Sequence, residues 1–323
     1  MNKIYPWLGN QWNQIQQRKS LDRMPHSLLL SGVKGLGKNI FAQQLARSFL
    51  CSQPSGDGMA CGECKSCHLI QAGTHPDFYT VELEDSKVIK IDQVRSLCVT
   101  LGTKSQLGGY RIAIINPADA MNTNAANSLL KTLEEPGEKT LLILLSSQPA
   151  SLPATIRSRC QKVNFTIPSA QEAEKWLKEQ SEDTNTALLL ALAGGAPLQA
   201  LSYIEENRLQ TRGEFIHEFL GLKTGVQNPL QMADKWNKQQ PEYCLAWMTS
   251  WIMDLIRLKS ALNNDSLMNK DHQKHLQPMA SELDLKNLFG FLDKLKQCSR
   301  QLGTQVNLQL LFEDLFITWI KTR

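Results

Sequence analysis

The sequence has no long apolar run, no large excess of charge of one sign, and no repeated or low-complexity segment. A membrane-spanning helix needs roughly 20 consecutive apolar residues, and the first residues, MNKIYPWLGNQW, lack the apolar stretch of a secretory signal. The formal charge is only +4, from 35 basic and 31 acidic residues, so charge alone indicates no nucleic-acid or membrane partner. We therefore expect a soluble cytoplasmic protein, whose 323 residues suggest about two or three domains.

Strand and helix patterns alternate in the first half of the chain. Strand patterns occur at 27–32, 77–83, 110–116 and 140–147, and all but the second are short apolar runs, which are typical of strands buried in a parallel sheet. Segments with helical periodicity follow three of them, at 38–51, 91–101 and 126–136. Asp92 is the expected N-cap of the second helix. This order predicts a three-layer α/β domain of parallel strands over residues 1–166.

The remainder of the chain is predicted to be all helical. Ser169 and Glu172 form an S-x-x-E capping box at the start of the first of these helices, and Pro197 suits the first position of a later one. Two long amphipathic segments are CLAWMTSWIMDLIRLKSAL and LQLLFEDLFITWIKTR. Trp247 and Trp251 lie four residues apart, hence on one helix face. Core packing is their expected role.

The segment LLLSGVKGLGKNI, residues 28–40, nearly matches the phosphate-binding loop G-x-x-x-x-G-K-[ST]. It follows a predicted strand and opens a helix, so Gly32, Gly35 and Gly37 are expected to let backbone N–H groups wrap a phosphate, with Lys38 reaching the outer phosphates. Asn39 replaces the Ser or Thr whose hydroxyl binds Mg²⁺ in such loops. Hydrolysis, idle nucleotide binding and an empty loop stay open, and an empty loop is the favoured interpretation.

The strand that should supply acidic groups for ATP hydrolysis lacks them. Active enzymes of this class end their third strand in Asp-Glu, whereas this chain has Asn116 and Pro117 there. Asp119 follows three positions late, beyond the proline, and phosphoryl transfer depends on close positioning. The sequence therefore predicts that this chain does not hydrolyse ATP by itself.

Four of the eight cysteines, Cys51, Cys61, Cys64 and Cys67, have the spacing C-x9-C-x2-C-x2-C. Four thiolates close a tetrahedral shell around Zn²⁺ and leave no position for water, which is typical of a structural site. A reduced cluster without metal and an iron–sulfur cluster are the alternatives. The other cysteines are expected to be ordinary buried thiols, and two nearby histidines to lie at the surface or in a loop. These residues are Cys98, Cys160, Cys244, Cys298, His68 and His75.

Two further segments are distinctive, NSLLKTLEEP at 127–136 and LPATIRSRCQ at 152–161. Together with the cysteine cluster, they resemble the bacterial DNA polymerase III clamp-loader subunits of the AAA+ superfamily. YPWL at 5–8, AGTHPDFY at 72–79 and the degenerate ATP motifs narrow the resemblance to the delta-prime group of this family, rather than the ATP-hydrolysing gamma/tau group. The likeness is dense over residues 1–166 and weakens along the helical part.

The resemblance implies an AAA+ P-loop-type domain with a zinc module at about 51–67, then a small helical lid at 167–207 and a helical collar at 208–323 that holds the chain in an oligomer. The fold class expected is thus α/β followed by all-α. ATP-hydrolysing relatives carry a sensing arginine in the lid, and its place is taken here by Leu198. The chain therefore lacks three groups that ATP-hydrolysing relatives use: the Mg²⁺-binding hydroxyl at position 39, the acidic pair at positions 116–117, and the lid arginine.

The resemblance also implies an arginine finger within Ser158-Arg159-Cys160. Arg159 would reach into the ATP site of a neighbouring gamma/tau subunit, where a guanidinium stabilises charge on the transferring phosphoryl group. The implied partners are the gamma/tau and delta subunits and, through the assembly, the beta sliding clamp and primed DNA. The chain would not be an ATPase by itself but a component of a DNA-directed DNA polymerase, a nucleotidyltransferase.

Two other functions compete with this interpretation. An ATP-hydrolysing motor of gamma/tau type requires turnover by the isolated chain and a catalytic Lys38. A zinc-dependent DNA-binding module requires tight, salt-sensitive binding of DNA by the monomer and gives Arg159 no role.

Overall fold

The computed structural model describes residues 4–84, 86–239, 241–260, 267–302 and 306–322. The chain divides into two compact units, Met1–Glu172 and Ala173–Arg323. The first unit contains a parallel sheet with helices. In the second unit, all the described secondary structure consists of helices joined by loops. The α/β and all-α parts predicted from the sequence are therefore both present.

A five-stranded sheet in the order β2-β3-β4-β1-β5 forms the centre of the first unit, and every strand pairing in it is parallel. Four of its strands were predicted from the sequence. The edge strand β5 was not, because its residues QKVN are short and mostly polar and exposed. The strands are β1 (Ser27–Ser31), β2 (Phe78–Glu82), β3 (Arg111–Asn116), β4 (Thr140–Ser146) and β5 (Gln161–Asn164).

In the described part of the first unit, six α-helices accompany the sheet. The predicted N-cap at Asp92 is wrong: the cap is Lys90, because the Gln93 side chain reaches back and accepts the Lys90 N–H at 2.9 Å. Asp92 lies in the first turn, where its charge suits the helix N-terminus. The helices are α1 (Gly9–Ser20), α2 (Lys38–Leu50), α3 (Lys65–Gln71), α4 (Ile91–Leu101), α5 (Thr123–Glu134) and α6 (Ala154–Arg159).

Nine further α-helices follow among the described residues. The predicted starts of two are confirmed: Ser169 Oγ accepts the Glu172 N–H at 3.2 Å, and Pro197 is the first residue of its helix. Residues 261, 262 and 323, at the ends of the two long predicted segments, lie outside the described residues. The helices are α7 (Ala170–Gln180), α8 (Thr186–Leu192), α9 (Pro197–Glu205), α10 (Arg208–Thr224), α11 (Pro229–Asn237), α12 (Pro241–Lys259), α13 (Gln273–Glu282), α14 (Leu285–Gln301) and α15 (Leu308–Lys321).

Two separate apolar clusters lie among the described residues of the second unit. A small one joins residues of α7, α8 and α9, and a large one joins residues of α10 to α15. Trp247 and Trp251 are 7% and 1% exposed and belong to the large cluster, so their predicted core role is confirmed. Within the part of the chain described, no single helix is long and apolar enough to cross a membrane, although α8 and α9, bent by 112°, pass the same test as a pair.

Gly32 directly follows β1 and lies against the end of β5. A Cβ added there would be 2.5 Å from the Phe165 carbonyl oxygen and 2.9 Å from its Cβ. Because a backbone atom cannot rotate away, we expect Gly32→Ala to lower the free energy of unfolding by about 1–3 kcal/mol. Urea unfolding measures this. Gly56→Ala is the control, since nothing lies within 4 Å of its added Cβ, and equal losses for both variants would contradict the packing argument.

Candidate functional site

The phosphate-loop segment forms the strand-loop-helix turn that the sequence predicts. The loop connects β1 to α2, which begins at Lys38. Gly35 and Gly37 have φ angles of +85° and +88°, a left-handed conformation that other residues adopt at a cost. Asn39, the second residue of α2, is partly buried and brings an amide where a hydroxyl would bind Mg²⁺. The cradle is therefore retained without its metal-binding oxygen.

Lys38 is turned back onto its own loop. Its Nζ donates to Gly32 O at 2.6 Å, to Val33 O at 2.8 Å and to Ser147 Oγ at 3.2 Å. An ammonium group has three hydrogens, so the protein itself supplies an acceptor for each of them. The residue is only 8% exposed, and burial lowers its pKa to about 8, against an ordinary value of 10.5.

Asp119 lies at the same end of the sheet as Lys38. Its Oδ1 accepts the backbone N–H of Ser147 at 3.0 Å, and its charge acts on Lys38 to raise the lysine pKa, opposing the effect of burial. Asp119 is therefore part of this site, although the third strand itself ends at Asn116 without an acid. It serves here as a hydrogen-bond acceptor and a counter-charge.

Trp7 of the YPWL motif also contacts the loop. Its Nε1 donates to Leu36 O at 3.0 Å, and its ring stacks on Tyr5 with centroids 5.0 Å apart. Sequence reasoning used YPWL only as a family signature and missed this contact. A tryptophan just before a helix is not by itself a signal for a loop contact, so the partner could be found only in the structure.

The Ser158-Arg159-Cys160 triplet ends α6 and leads into β5. Cys160 is 7% exposed, and burial raises its pKa to about 11, so it is a neutral anchor in the core. Ser27 Oγ donates to the Arg159 carbonyl at 2.8 Å. The Arg159 side chain is 36% exposed; its guanidinium donates to Thr155 O at 3.0 Å and pairs with Glu134 Oε1 at 2.6 Å. The arginine thus has a fixed backbone and an accessible side chain.

The phosphate loop and Arg159 lie at opposite ends of the strands. In a parallel sheet all the carboxyl ends lie on one side, and the residues that follow β1, β3 and β4 (Lys38, Asp119 and Ser147) meet there. Arg159 precedes β5, and its carbonyl accepts a hydrogen bond from Ser27, the first residue of β1, at the amino ends of the strands. The five residues of β1, at about 3.3 Å each, separate the carboxyl ends of the strands from their amino ends by more than the length of an arginine side chain.

Four cysteine thiols come together beside α2 and α3. The Sγ atoms of Cys51, Cys61, Cys64 and Cys67 all lie within 4.8 Å of one another. Three of the Sγ–Sγ separations, 3.5, 3.9 and 3.9 Å, resemble the spacing of about 3.8 Å that a tetrahedron with metal–sulfur bonds of about 2.3 Å requires. Backbone N–H groups also point at these sulfurs, for example that of Cys67 at Cys64 Sγ, 3.4 Å. The set could therefore hold one metal ion.

The other cysteines and the nearby histidines largely match their expected roles. Three of the cysteines are buried and Cys98 is only partly so. His68 is exposed, whereas His75 lies in a loop but is 6% exposed. His75 Nε2 is hydrogen-bonded to Ser66 Oγ at 2.7 Å, and His75 Nδ1 accepts the Asp77 N–H at 3.1 Å. Burial lowers the pKa of His75, and the ring connects the cysteine segment to the sheet.

Two family models match the chain. The model described as DNA polymerase III, delta subunit, matches residues 8–169, and that described as DNA polymerase III, delta subunit, C terminal, matches residues 206–321. The first covers the sheet, the phosphate loop, the cysteines and Arg159, and the second covers α10 to α15.

Curated relatives with one description are similar over nearly the whole chain. DNA polymerase III subunit delta' of Pseudomonas aeruginosa is 34% identical over 99% of this chain and 98% of its own length. The protein of the same description from Escherichia coli is 32% identical over 97% of this chain and 94% of its own length. Among solved structures, a DNA polymerase III gamma subunit-related protein of Thermotoga maritima covers 96% of this chain and 99% of its own at 17% identity, with a TM-score of 0.48.

The counter-charge at Lys38 gives a titration test. Because the Asp119 carboxylate raises the pKa of Lys38, we expect Asp119→Asn to move that pKa below the wild-type value of about 8. An NMR titration of ¹³Cε-labelled lysine, with the Lys38 signal assigned from Lys38→Met, measures both values. Exposed lysines in the same spectra are the internal control. A wild-type midpoint near 10.5 would show that water, and not the loop, surrounds the ammonium.

Proposed function

The chain belongs to the delta-prime family of bacterial DNA polymerase III subunits, and from this premise we propose that it is a stationary, non-hydrolysing subunit of a clamp loader. In this proposal Arg159 completes the ATP site of a neighbouring gamma/tau subunit. Together with the delta subunit, the assembly loads the beta sliding clamp onto primed DNA in the cytoplasm. The chain itself contributes charge and a rigid contact surface, and the neighbours contribute ATP turnover.

The position of Arg159 is the observation that carries the proposal. Its side chain is partly exposed at the amino ends of the strands, whereas the phosphate loop of the same chain lies at their carboxyl ends. It cannot serve that loop, so a phosphate that it contacts must be bound by another subunit. Subunits that meet in this way join unlike surfaces, as in a ring with head-to-tail contacts. A guanidinium supplied in trans then stabilises the charge on the transferring phosphoryl group.

Three features of the phosphate loop and the neighbouring end of β3 support the non-hydrolysing part of the proposal. Asn39 offers no hydroxyl for Mg²⁺, and Asn116 and Pro117 offer no acid for the metal or the attacking water. Lys38 already has three oxygen partners from the protein. Binding of a phosphate would have to exchange these contacts for new ones, which favours an empty loop. The partly buried Leu198 in place of a lid arginine agrees with this interpretation.

A structural Zn²⁺ at the four cysteines is part of the same proposal. Four thiolates fill a tetrahedral shell and leave no open position, so the ion would stabilise the segment between α2 and α3 without taking part in catalysis. The ligands fit this role because they come from the end of α2, the connecting loop and the start of α3. A structural metal of this kind contributes directly to folding.

The three-domain division is also proposed. Separate apolar clusters in α7–α9 and α10–α15 support a lid at 167–207 and a collar at 208–323. The C-terminal family model begins at residue 206 and is consistent with the second boundary. In the proposal the collar holds the oligomer together, and its large apolar core gives it the rigidity for that role.

Steady-state ATP hydrolysis by a reconstituted loader, with clamp and primed DNA, tests the proposal. We expect Arg159→Ala to lower turnover severalfold or more, because the neighbouring site loses a charge worth about 10³–10⁵ in rate in comparable enzymes. Lys38→Met should leave turnover unchanged, and the isolated chain should show none. Loss of turnover in Lys38→Met, with none in Arg159→Ala, would favour a gamma/tau-type motor instead.

Metal analysis of the purified chain tests the zinc proposal. We expect about one Zn²⁺ per chain, and a lower melting temperature after chelation, since metal binding contributes to folding. Cys64→Ser should release most of the metal, whereas the control Cys98→Ser should retain it. Iron with visible absorption would indicate a cluster, and a stable chain without any metal would contradict the zinc proposal.

A further inference from the structure

Glu134 contacts the guanidinium of Arg159 directly. Its Oε1 lies 2.6 Å from Arg159 Nη2, while Nη1 donates to Thr155 O at 3.0 Å. The two acceptors come from different helices, because Glu134 ends α5 and Thr155 lies in α6. Among the described residues, the other N–H donors of this guanidinium have no partner. Part of the planar fork is therefore held, and part is available to a ligand.

The backbone at or next to each of these two residues accepts a hydrogen bond from the beginning of β1, where His26 precedes the strand and Ser27 is its first residue. His26 Nε2 donates to the carbonyl of Leu133, the residue before Glu134, at 2.9 Å. Ser27 Oγ donates to the carbonyl of Arg159 at 2.8 Å. The distance between the acid and the arginine is consequently set by the sheet and not by flexible loops.

Stability does not account for an acid at position 134. The side chains of Arg159 and Glu134 are 36% and 50% exposed, and exposed ion pairs contribute only about 0–1 kcal/mol. Glu134 is also the last residue of α5, where the helix dipole disfavours a negative charge. Orientation of the guanidinium is the role that remains.

We propose that Glu134 is a positioning residue for Arg159. It holds the guanidinium so that the remaining donors meet phosphoryl oxygens of ATP bound by the neighbouring subunit. This inference rests on the proposed function, because it requires Arg159 to act in trans. Positional errors of about 1 Å are costly in such reactions, so loss of the contact lowers the turnover number while ATP affinity, set mainly by the neighbour, stays the same.

The test uses the complete reconstituted loader with clamp and primed DNA. Glu134→Gln keeps the shape of the side chain and removes its charge; we expect kcat to fall about 2–5-fold with KM for ATP unchanged, as the loss of an exposed ion pair implies. Glu138→Gln is the matched control, since it removes the same charge from an exposed position four residues later and should change neither constant. Gel filtration checks that each variant assembles, and Glu134→Asp, which shortens the reach, should also lower kcat.

A double-mutant cycle separates this inference from the proposed function. If Glu134 acts through Arg159, Glu134→Gln has no further effect in an Arg159→Ala loader. The same 2–5-fold loss in both backgrounds, or a higher kcat in Glu134→Gln alone, would overturn the positioning role. Unchanged kcat in Glu134→Gln with a loss in Arg159→Ala overturns the inference only, whereas unchanged kcat in Arg159→Ala overturns the proposed function as well.

Discussion

All five strands of the first unit run in one direction, and this constraint separates the two chemically distinctive ends of the sheet. The loops that carry Lys38, Asp119 and Ser147 meet where the strands end. Arg159 and Glu134 meet where the strands begin. One chain therefore has a phosphate loop at one end of its strands and an arginine at the other; in the proposed function, a second subunit brings its own loop to this arginine.

The loop itself is stabilised without a ligand. Its lysine is buried, its three ammonium hydrogens have oxygen partners within the protein, and Trp7 fixes the Leu36 carbonyl. Binding of a phosphate would have to break these lysine contacts. In the proposed function the loop stays empty, and the chain acts through Arg159 at the opposite ends of the strands, where the arginine side chain is partly exposed and paired with Glu134.

Most of the fold could be predicted from patterns that dominate locally. Buried apolar runs identify β1, β3 and β4, and β2 is recognised by its β-branched and aromatic residues. The edge strand β5 is short and polar, so its sequence gives no such signal. The cysteine cluster was predicted because its spacing fixes its geometry. Glu134 lies within the NSLLKTLEEP motif, but the sequence predicts no role for it, since its contact with Arg159 joins residues 25 positions apart. Ser147 was missed for the same reason, because its partner is 109 positions away.

Site-specific crosslinking in the assembled loader measures the central claim most directly. The chain would carry Arg159→Cys, and the nucleotide would be an ATP analogue with a thiol-reactive group on its γ-phosphate; the chain without this substitution gives the background from its own cysteines. The account predicts labelling at position 159 in the loader and none in the isolated chain. Labelling of the isolated chain, or none at position 159 in a loader whose neighbouring subunits hold the analogue, would contradict it.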